Sequence, residues 1–169
     1  KRAGHRIVFY VSPQVWAWRE YRVKQIRRDV DRMLVIFPFE EEFYRRHGVE
    51  AVFVGHPLVG DVEPAQTREA FFAAHDLDPS RELVALLPGS RRKEIAYNLP
   101  VLAGAVEILK ARRPGLQFVL PLALTVSREQ VEPLLERVMA DVRIVERDTY
   151  SAVGHADLAV VASGTATLE

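Results

Sequence analysis

Two short loops carry residue types that suit an anion. Pro88-Gly89-Ser90-Arg91 follows the apolar run Leu83–Leu87, and Ser163-Gly164-Thr165 follows the apolar run Leu158–Val161. Glycine lets backbone approach a ligand closely and tolerates angles that other residues avoid. Ser90, Ser163 and Thr165 bring hydroxyl donors. N–H groups left free at a helix start, with the helix dipole behind them, suit a phosphate. Arg91 adds a planar fork that matches phosphate oxygens. Glu169 lies about one turn into the helix expected after the second loop, where a carboxylate could accept from two ribose hydroxyls. The implied chemistry is capture of a nucleotide's diphosphate. A Ser-Gly-Thr after a strand is also a common turn and cap, so the reading rests on two loops and an arginine taken together.

Other residues are weaker candidates. Asp29-Val30-Asp31 and Asp76-Leu77-Asp78 each place two carboxylates one residue apart, a spacing that can hold Mg²⁺ with a diphosphate. The first reads better as flanking a strand entry, the second as a loop before Pro79, and no metal is expected. His56 stands between Gly55 and Pro57 at a strand end, placed like a site residue or like a structural histidine. Arg19, Arg22, Lys24, Arg27 and Arg28 with Trp16 and Trp18 make a basic, aromatic stretch. It suits anionic lipid headgroups or a solvated helix face. The chain has no Walker A motif, no dinucleotide G-x-G-x-x-G and no nucleophile elbow.

Composition narrows the partners. The 169 residues carry 23 basic and 23 acidic side chains, for a net charge of zero, so a bulk electrostatic partner such as nucleic acid is not expected. The absence of cysteine rules out disulfides and thiolate metal sites. No apolar run approaches the roughly 20 residues that span a bilayer, and no signal peptide opens the sequence. A soluble, cytosolic protein is the expectation. Both ends read as cut, Lys1 running almost directly into a strand and Glu169 falling in the first turns of a helix, so a fragment is expected.

The elements that position these loops follow from the apolar pattern. Strands are predicted at 7–11, 33–37 and 51–54, with a helix over 15–28 and another opening at Pro38. The pattern pauses between Gly60 and Pro64, which predicts a domain boundary there. A short helix over 67–75 follows, then strands at Leu83–Leu87, 117–120, 142–145 and Leu158–Val161. Between them, Ile95, Leu99, Leu102, Val106 and Leu109 make one apolar helix face. Pro100 predicts a kink or a late start in that helix. Ser127 with Gln130 reads as a capping box opening the next, whose early turns Pro133 weakens. A short helix over 149–155 completes the set. Near-continuous apolar strands alternating with helices predict a doubly wound α/β fold with a parallel sheet covered on both faces. Ligands of such sheets bind beyond the carboxyl ends of the strands, so both glycine loops are expected on one rim.

Five stretches make the chain resemble the lipid-A-disaccharide synthases: 11–19 (Val-Ser-Pro-Gln-Val-Trp-Ala-Trp-Arg), 37–40 (Phe-Pro-Phe-Glu), 54–57 (Val-Gly-His-Pro), 86–91 (Leu-Leu-Pro-Gly-Ser-Arg) and 162–169 (Ala-Ser-Gly-Thr-Ala-Thr-Leu-Glu). The resemblance implies a GT-B glycosyltransferase: a Rossmann-type UDP-sugar domain, 61–169, preceded by the end of an acceptor-side α/β domain, 1–60. It implies transfer of 2,3-diacylglucosamine from UDP, with inversion, to 2,3-diacylglucosamine 1-phosphate. Products would be the β-1,6-linked disaccharide phosphate and UDP, with no metal or other cofactor. The site would be peripheral on the cytoplasmic face of the inner membrane of Gram-negative bacteria. Carried over by position, Gly89, Ser90 and Arg91 would bind diphosphate, with Glu94 supporting the loop. Ser163, Gly164 and Thr165 would face the same diphosphate, and Glu169 the ribose. Arg147, Asp148 and Thr149 would lie near uracil. Ser12, Gln14, Trp16, Trp18 and His56 would belong to the cleft or acceptor side. The general base is expected upstream of Lys1 and a closing segment beyond Glu169, so the isolated chain is expected not to turn over.

Two rival readings stay open on the sequence. One is another UDP-sugar enzyme, such as a UDP-N-acetylglucosamine 2-epimerase or the transferase acting on lipid II precursors, against which the tryptophan-rich stretch argues. The other is a non-catalytic nucleotide-binding module.

Overall fold

The computed structural model describes residues 4–60, 62–136 and 142–164. The chain divides into two compact units, Lys1–Asp61 and Val62–Glu169.

The first unit holds β1 (Val8–Tyr10), α1 (Val15–Trp18), a 3-10 turn (Glu20–Arg22), α2 (Val23–Asp29), β2 (Arg32–Val35), α3 (Pro38–Arg46) and β3 (Ala51–Phe53). Its strands form a parallel sheet in the order β1-β2-β3. The core is Val15, Val23, Met33, Val35, Tyr44 and Val49. α3 opens on Pro38, with Glu40 and Glu41 in its first turn and Arg45 and Arg46 in its last, an arrangement that complements the helix dipole. The helix predicted over 15–28 is broken. Arg19 lies at φ −139°, ψ 43°, far from helical values. Two long-range bonds flank the break: Trp16 Nε1 donates to Glu40 at 3.1 Å, and Glu20 bonds His47 Nε2 at 2.9 Å. Tertiary partners override the local pattern here.

The second unit holds α4 (Arg68–Ala74), β4 (Leu83–Leu87), α5 (Arg92–Arg112), β5 (Gln117–Leu122), α6 (Arg128–Glu136), β6 (Arg143–Glu146), α7 (Thr149–Gly154) and β7 (Leu158–Val161). The four strands run parallel in the order β6-β5-β4-β7. Side chains alternate across the sheet. Val84, Leu86, Phe118 and Leu120 pack on one face with Ile95, Leu99 and Val106 of α5 and Val131 and Leu135 of α6. Leu83, Ala85 and Val119 pack on the other with Phe71 and Phe72 of α4 and Ala152 of α7. Both faces are thus covered, as the apolar strands require, and the unit is Rossmann-like.

Two prolines mark local detail. α5 starts at Arg92, well before Pro100, and continues past it to Arg112. Buried Ile95, Leu99, Ala103 and Val106 hold one face of the helix against the core and carry it past the missing donor. Pro121 lies in β5, which the sequence pattern ended at residue 120. Gln117 N–H donates to Glu82 at 2.9 Å, so the donor edge of alternate residues 117, 119 and 121 faces β4. The β4–β5 register ends at Ala85 with Val119, while β5 stays paired with β6 through Leu122 with Glu146. A residue without an N–H ends the ladder there. At the start of α6, Gln130 Oε1 accepts from Ser127 N–H at 3.3 Å, the return half of the predicted capping box.

Candidate nucleotide site

In the second unit the chain builds β5 and β6 on one side of β4, then crosses to lay β7 on the other. The order of strands reverses at the β4–β7 junction, where open α/β sheets bind their ligands. Leu87 pairs with Val161, and Ala162 N–H donates to Leu87 O at 2.8 Å. Directly beyond that rung come Pro88-Gly89-Ser90-Arg91 and Ser163-Gly164, side by side on one rim. Thr165 and Glu169 lie outside the described residues.

The first loop is tightly held. Asn98 Nδ2 donates to Pro88 O at 2.8 Å, and Thr125 Oγ1 to Ser90 O at 2.5 Å. Glu94 Oε2 accepts from Ser90 N–H at 3.0 Å and from Arg91 N–H at 3.2 Å. Its other oxygen accepts from Arg91 Nη1 at 2.9 Å. The bond from Ser90 N–H is the main cause that holds the Glu94 carboxyl below its usual range, and the donors on Arg91 add to it. Gly89 has φ +123°, and a Cβ there would stand 2.6 Å from Glu94 Oε2 and 2.7 Å from its Cβ. Glycine is needed to admit Glu94 against the loop. The Arg91 side chain is 81% exposed, and its Nε and Nη2 have no protein partner among the described residues.

A cavity of about 570 Å³ opens beside this loop. Its wall brings together Gly89, Ser90 and Arg91 after β4 with Arg147, Asp148 and Thr149 after β6. Ser163 and Gly164 do not line it; they lie on the β7 side of the same rim. The sequence reading missed the third contributor, Ala123-Leu124-Thr125 after β5, and with it Tyr150 and Ala65. The rule that placed the other loops, a position just beyond a strand, would have found 123–125. Leu124 is 91% exposed and Tyr150 40%, which gives the cavity an apolar side suited to a flat ring.

Arg147 takes a left-handed backbone at φ 60°, uncommon for a side chain of its size. Asp148 is engaged as a cap: Oδ1 accepts from Ser151 N–H at 3.3 Å and Oδ2 from Gln66 Nε2. Burial pushes its carboxyl up, but bonds from Ser151 and Gln66 more than offset this and leave it below its ordinary value. Ser151, fully buried, accepts from Ala65 N–H at 3.0 Å. Asp148 therefore fixes the shape of this wall.

The first unit gathers its own rim. Ser12 follows β1, Phe37 and Phe39 follow β2, and His56 follows β3. Val11, just before Ser12, has φ 64°, an outlier for a β-branched residue. Ser12 is buried and bonds Tyr44 Oη at 2.6 Å, so it faces the core. Trp16 meets Phe39 edge-on at 4.9 Å, Phe39 stacks on Phe37 at 5.7 Å, and Phe37 lies 6.0 Å from the His56 ring. Glu40, 1% exposed, anchors the group by accepting from Trp16 Nε1 and, at 3.2 Å, from Phe37 N–H. His56 Nδ1 accepts from Leu58 N–H at 3.3 Å, which leaves the proton of the neutral ring on Nε2. Gln14 is exposed, and Trp18 is 70% exposed under the Arg19 guanidinium at 4.0 Å. Neither joins the ring cluster.

The paired aspartates have local partners: Asp29 with Arg28, Asp31 with Ile7 N–H, Asp76 with Arg143, and Asp78 with Ser80. Among the described residues no group of three or more His, Asp or Glu is placed to hold a metal ion, and no helix is long and apolar enough to cross a membrane.

Comparison with known proteins gives this arrangement a family. The family described as lipid-A-disaccharide synthetase matches residues 1–169. The chain is similar to the lipid-A-disaccharide synthase of Geobacter metallireducens, 47% identical over 169 residues, all of this chain and 44% of that protein. It is 47% identical over 164 residues to that of Solibacter usitatus, covering 96% of this chain and 42% of the relative. That of Coxiella burnetii (strain Dugway 5J108-111) is 41% identical over 169 residues, again 44% of its length. The chain thus spans less than half the length of these curated relatives. A Rossmann-like unit with two glycine loops on one rim, matched from first residue to last, places the chain in the lipid-A-disaccharide synthetase family.

Proposed function

We propose that this chain supplies the donor-binding part of an inverting glycosyltransferase of lipid A biosynthesis, and that the second unit holds UDP. The donor is UDP-2,3-diacylglucosamine and the acceptor 2,3-diacylglucosamine 1-phosphate, as in a GT-B enzyme working at the inner-membrane surface. The observation that carries the reading is the junction of β4 and β7. Two loops leave one hydrogen-bonded rung at the switch point of the sheet. Leaving UDP gains negative charge and needs preorganised positive partners. Arg91 and the first turn of the 21-residue helix α5 are on hand for it. The cavity shared by the β4, β5 and β6 loops has the volume and the apolar side that a uridine requires. The ring cluster of the first unit fits the acceptor sugar, whose C–H faces pack on aromatic rings.

A UDP titration tests this. Arg91→Ala removes a charge-assisted contact and is expected to weaken binding about tenfold or more. Unchanged affinity would remove the diphosphate role. With the general base expected elsewhere in the full protein, this chain is expected to bind UDP without forming disaccharide, and disaccharide formation by it would refute that division of labour.

A further inference from the structure

The donors assigned to the diphosphate are already occupied. Ser90 N–H, Arg91 N–H and Arg91 Nη1 all point at one carboxylate, that of Glu94, at 3.0, 3.2 and 2.9 Å. The loop is also shaped around that side chain: a Cβ on Gly89 would overlap Glu94 itself, 2.6 Å from its Oε2. A capping box alone needs only the N–H of the N-cap residue, Arg91. Here the carboxylate takes an additional upstream amide and the guanidinium.

We infer that Glu94 is an internal stand-in for the nucleotide's diphosphate, holding the three donors converged until the ligand takes them over. This rests on the UDP reading above. Without an anion, two N–H dipoles and a guanidinium crowded together repel one another. With Glu94 they stay aimed at one point, and the site keeps its form. The arriving diphosphate carries more charge than a carboxylate and displaces it. Arg91 Nε and Nη2, which have no protein partner among the described residues, give the ligand its first hold before the exchange. Glu94 is in this sense a positioning residue with an opposing side: it preorganises the donors and competes for them.

The consequence is opposite to that of an ordinary cap. Glu94→Gln keeps the length of the side chain and an acceptor oxygen but removes the charge. It is expected to tighten UDP binding about fivefold, the effect of deleting one like charge near 4 Å in a solvated site. A purely structural cap would lower stability and leave affinity unchanged or weaker. The experiment is calorimetric titration of the 169-residue chain with UDP, as wild type, Glu94→Gln, Arg91→Ala and the double variant. Tighter binding by Glu94→Gln, lost again on adding Arg91→Ala, supports the stand-in. Unchanged or weaker binding by Glu94→Gln, with Arg91→Ala still impaired, overturns the stand-in and leaves the UDP site standing. Normal binding by Arg91→Ala, or none by wild type and Glu94→Gln alike, removes both. A second readout is the carboxyl ¹³C resonance of Glu94, which must shift when UDP saturates the chain; a resonance that stays in place overturns the exchange.

Discussion

Gly89 and Glu40 show how a single residue type can be demanded by its neighbours. Gly89→Ala sets a Cβ against Glu94 at a left-handed φ, and is expected to cost about 1–3 kcal/mol of stability in urea unfolding. An unchanged midpoint would show that the loop relaxes freely. Glu40→Ala strands the indole N–H of Trp16 and the N–H of Phe37. It is expected to cost about 1–3 kcal/mol, with a change in tryptophan emission because Trp16 loses its anchor. Acid adds a further test at Glu94. Its folded pKa is depressed below the ordinary 4.5, so its contribution is fully present above that value and is lost as pH falls through the folded pKa. Glu94→Gln is therefore expected to flatten the acid limb of stability against pH below about 4.5; an unaltered limb would place the acid sensitivity elsewhere. Residue chemistry of this kind was half legible. The glycine, serine and arginine marked a candidate site by type. That Glu94 supports the loop was implied by the family resemblance; which donors it would take was not visible, because they depend on the rotation at which α5 starts.

At the level of elements, what could be read depended on where the bonds go. The strands of the second unit were legible to within one or two residues because burial on both faces forces a continuous apolar run. The break at Arg19 was not, since the partners that stabilise it, Glu40 and His47, lie in α3 and just after it. Pro100 predicted a kink or a late helix start, and the late start does not hold, because the helix already begins at Arg92. It is exposed in the interior of α5, where a missing donor weakens the helix without ending it. Pro100→Ala is thus expected to raise stability, by about 1–3 kcal/mol less the entropy that proline removes from the unfolded chain. A fall in the urea midpoint would mean that the ring itself packs against something needed.

The molecule as a whole is two cores on one chain. Among the described residues the first unit buries six apolar residues in its core, while the second has two clusters, one on each face of its sheet. A unit of about 60 residues with so small a core is marginal. Both tryptophans, Trp16 and Trp18, lie in it, so their fluorescence reports that unit alone. Its urea midpoint is expected below that of the far-ultraviolet circular dichroism, which the second unit dominates; coincident curves would show a single cooperative molecule. The sheet of the second unit adds one more consequence. Because Pro121 has no hydrogen to offer β4, the seam between those strands stays unzipped above Val119. Leu87 and Pro121, beyond the last paired rung of that seam, both line the cavity, so the missing ladder bond at this wall is written into covalent chemistry, and a flat ring entering there would displace no strand pairing.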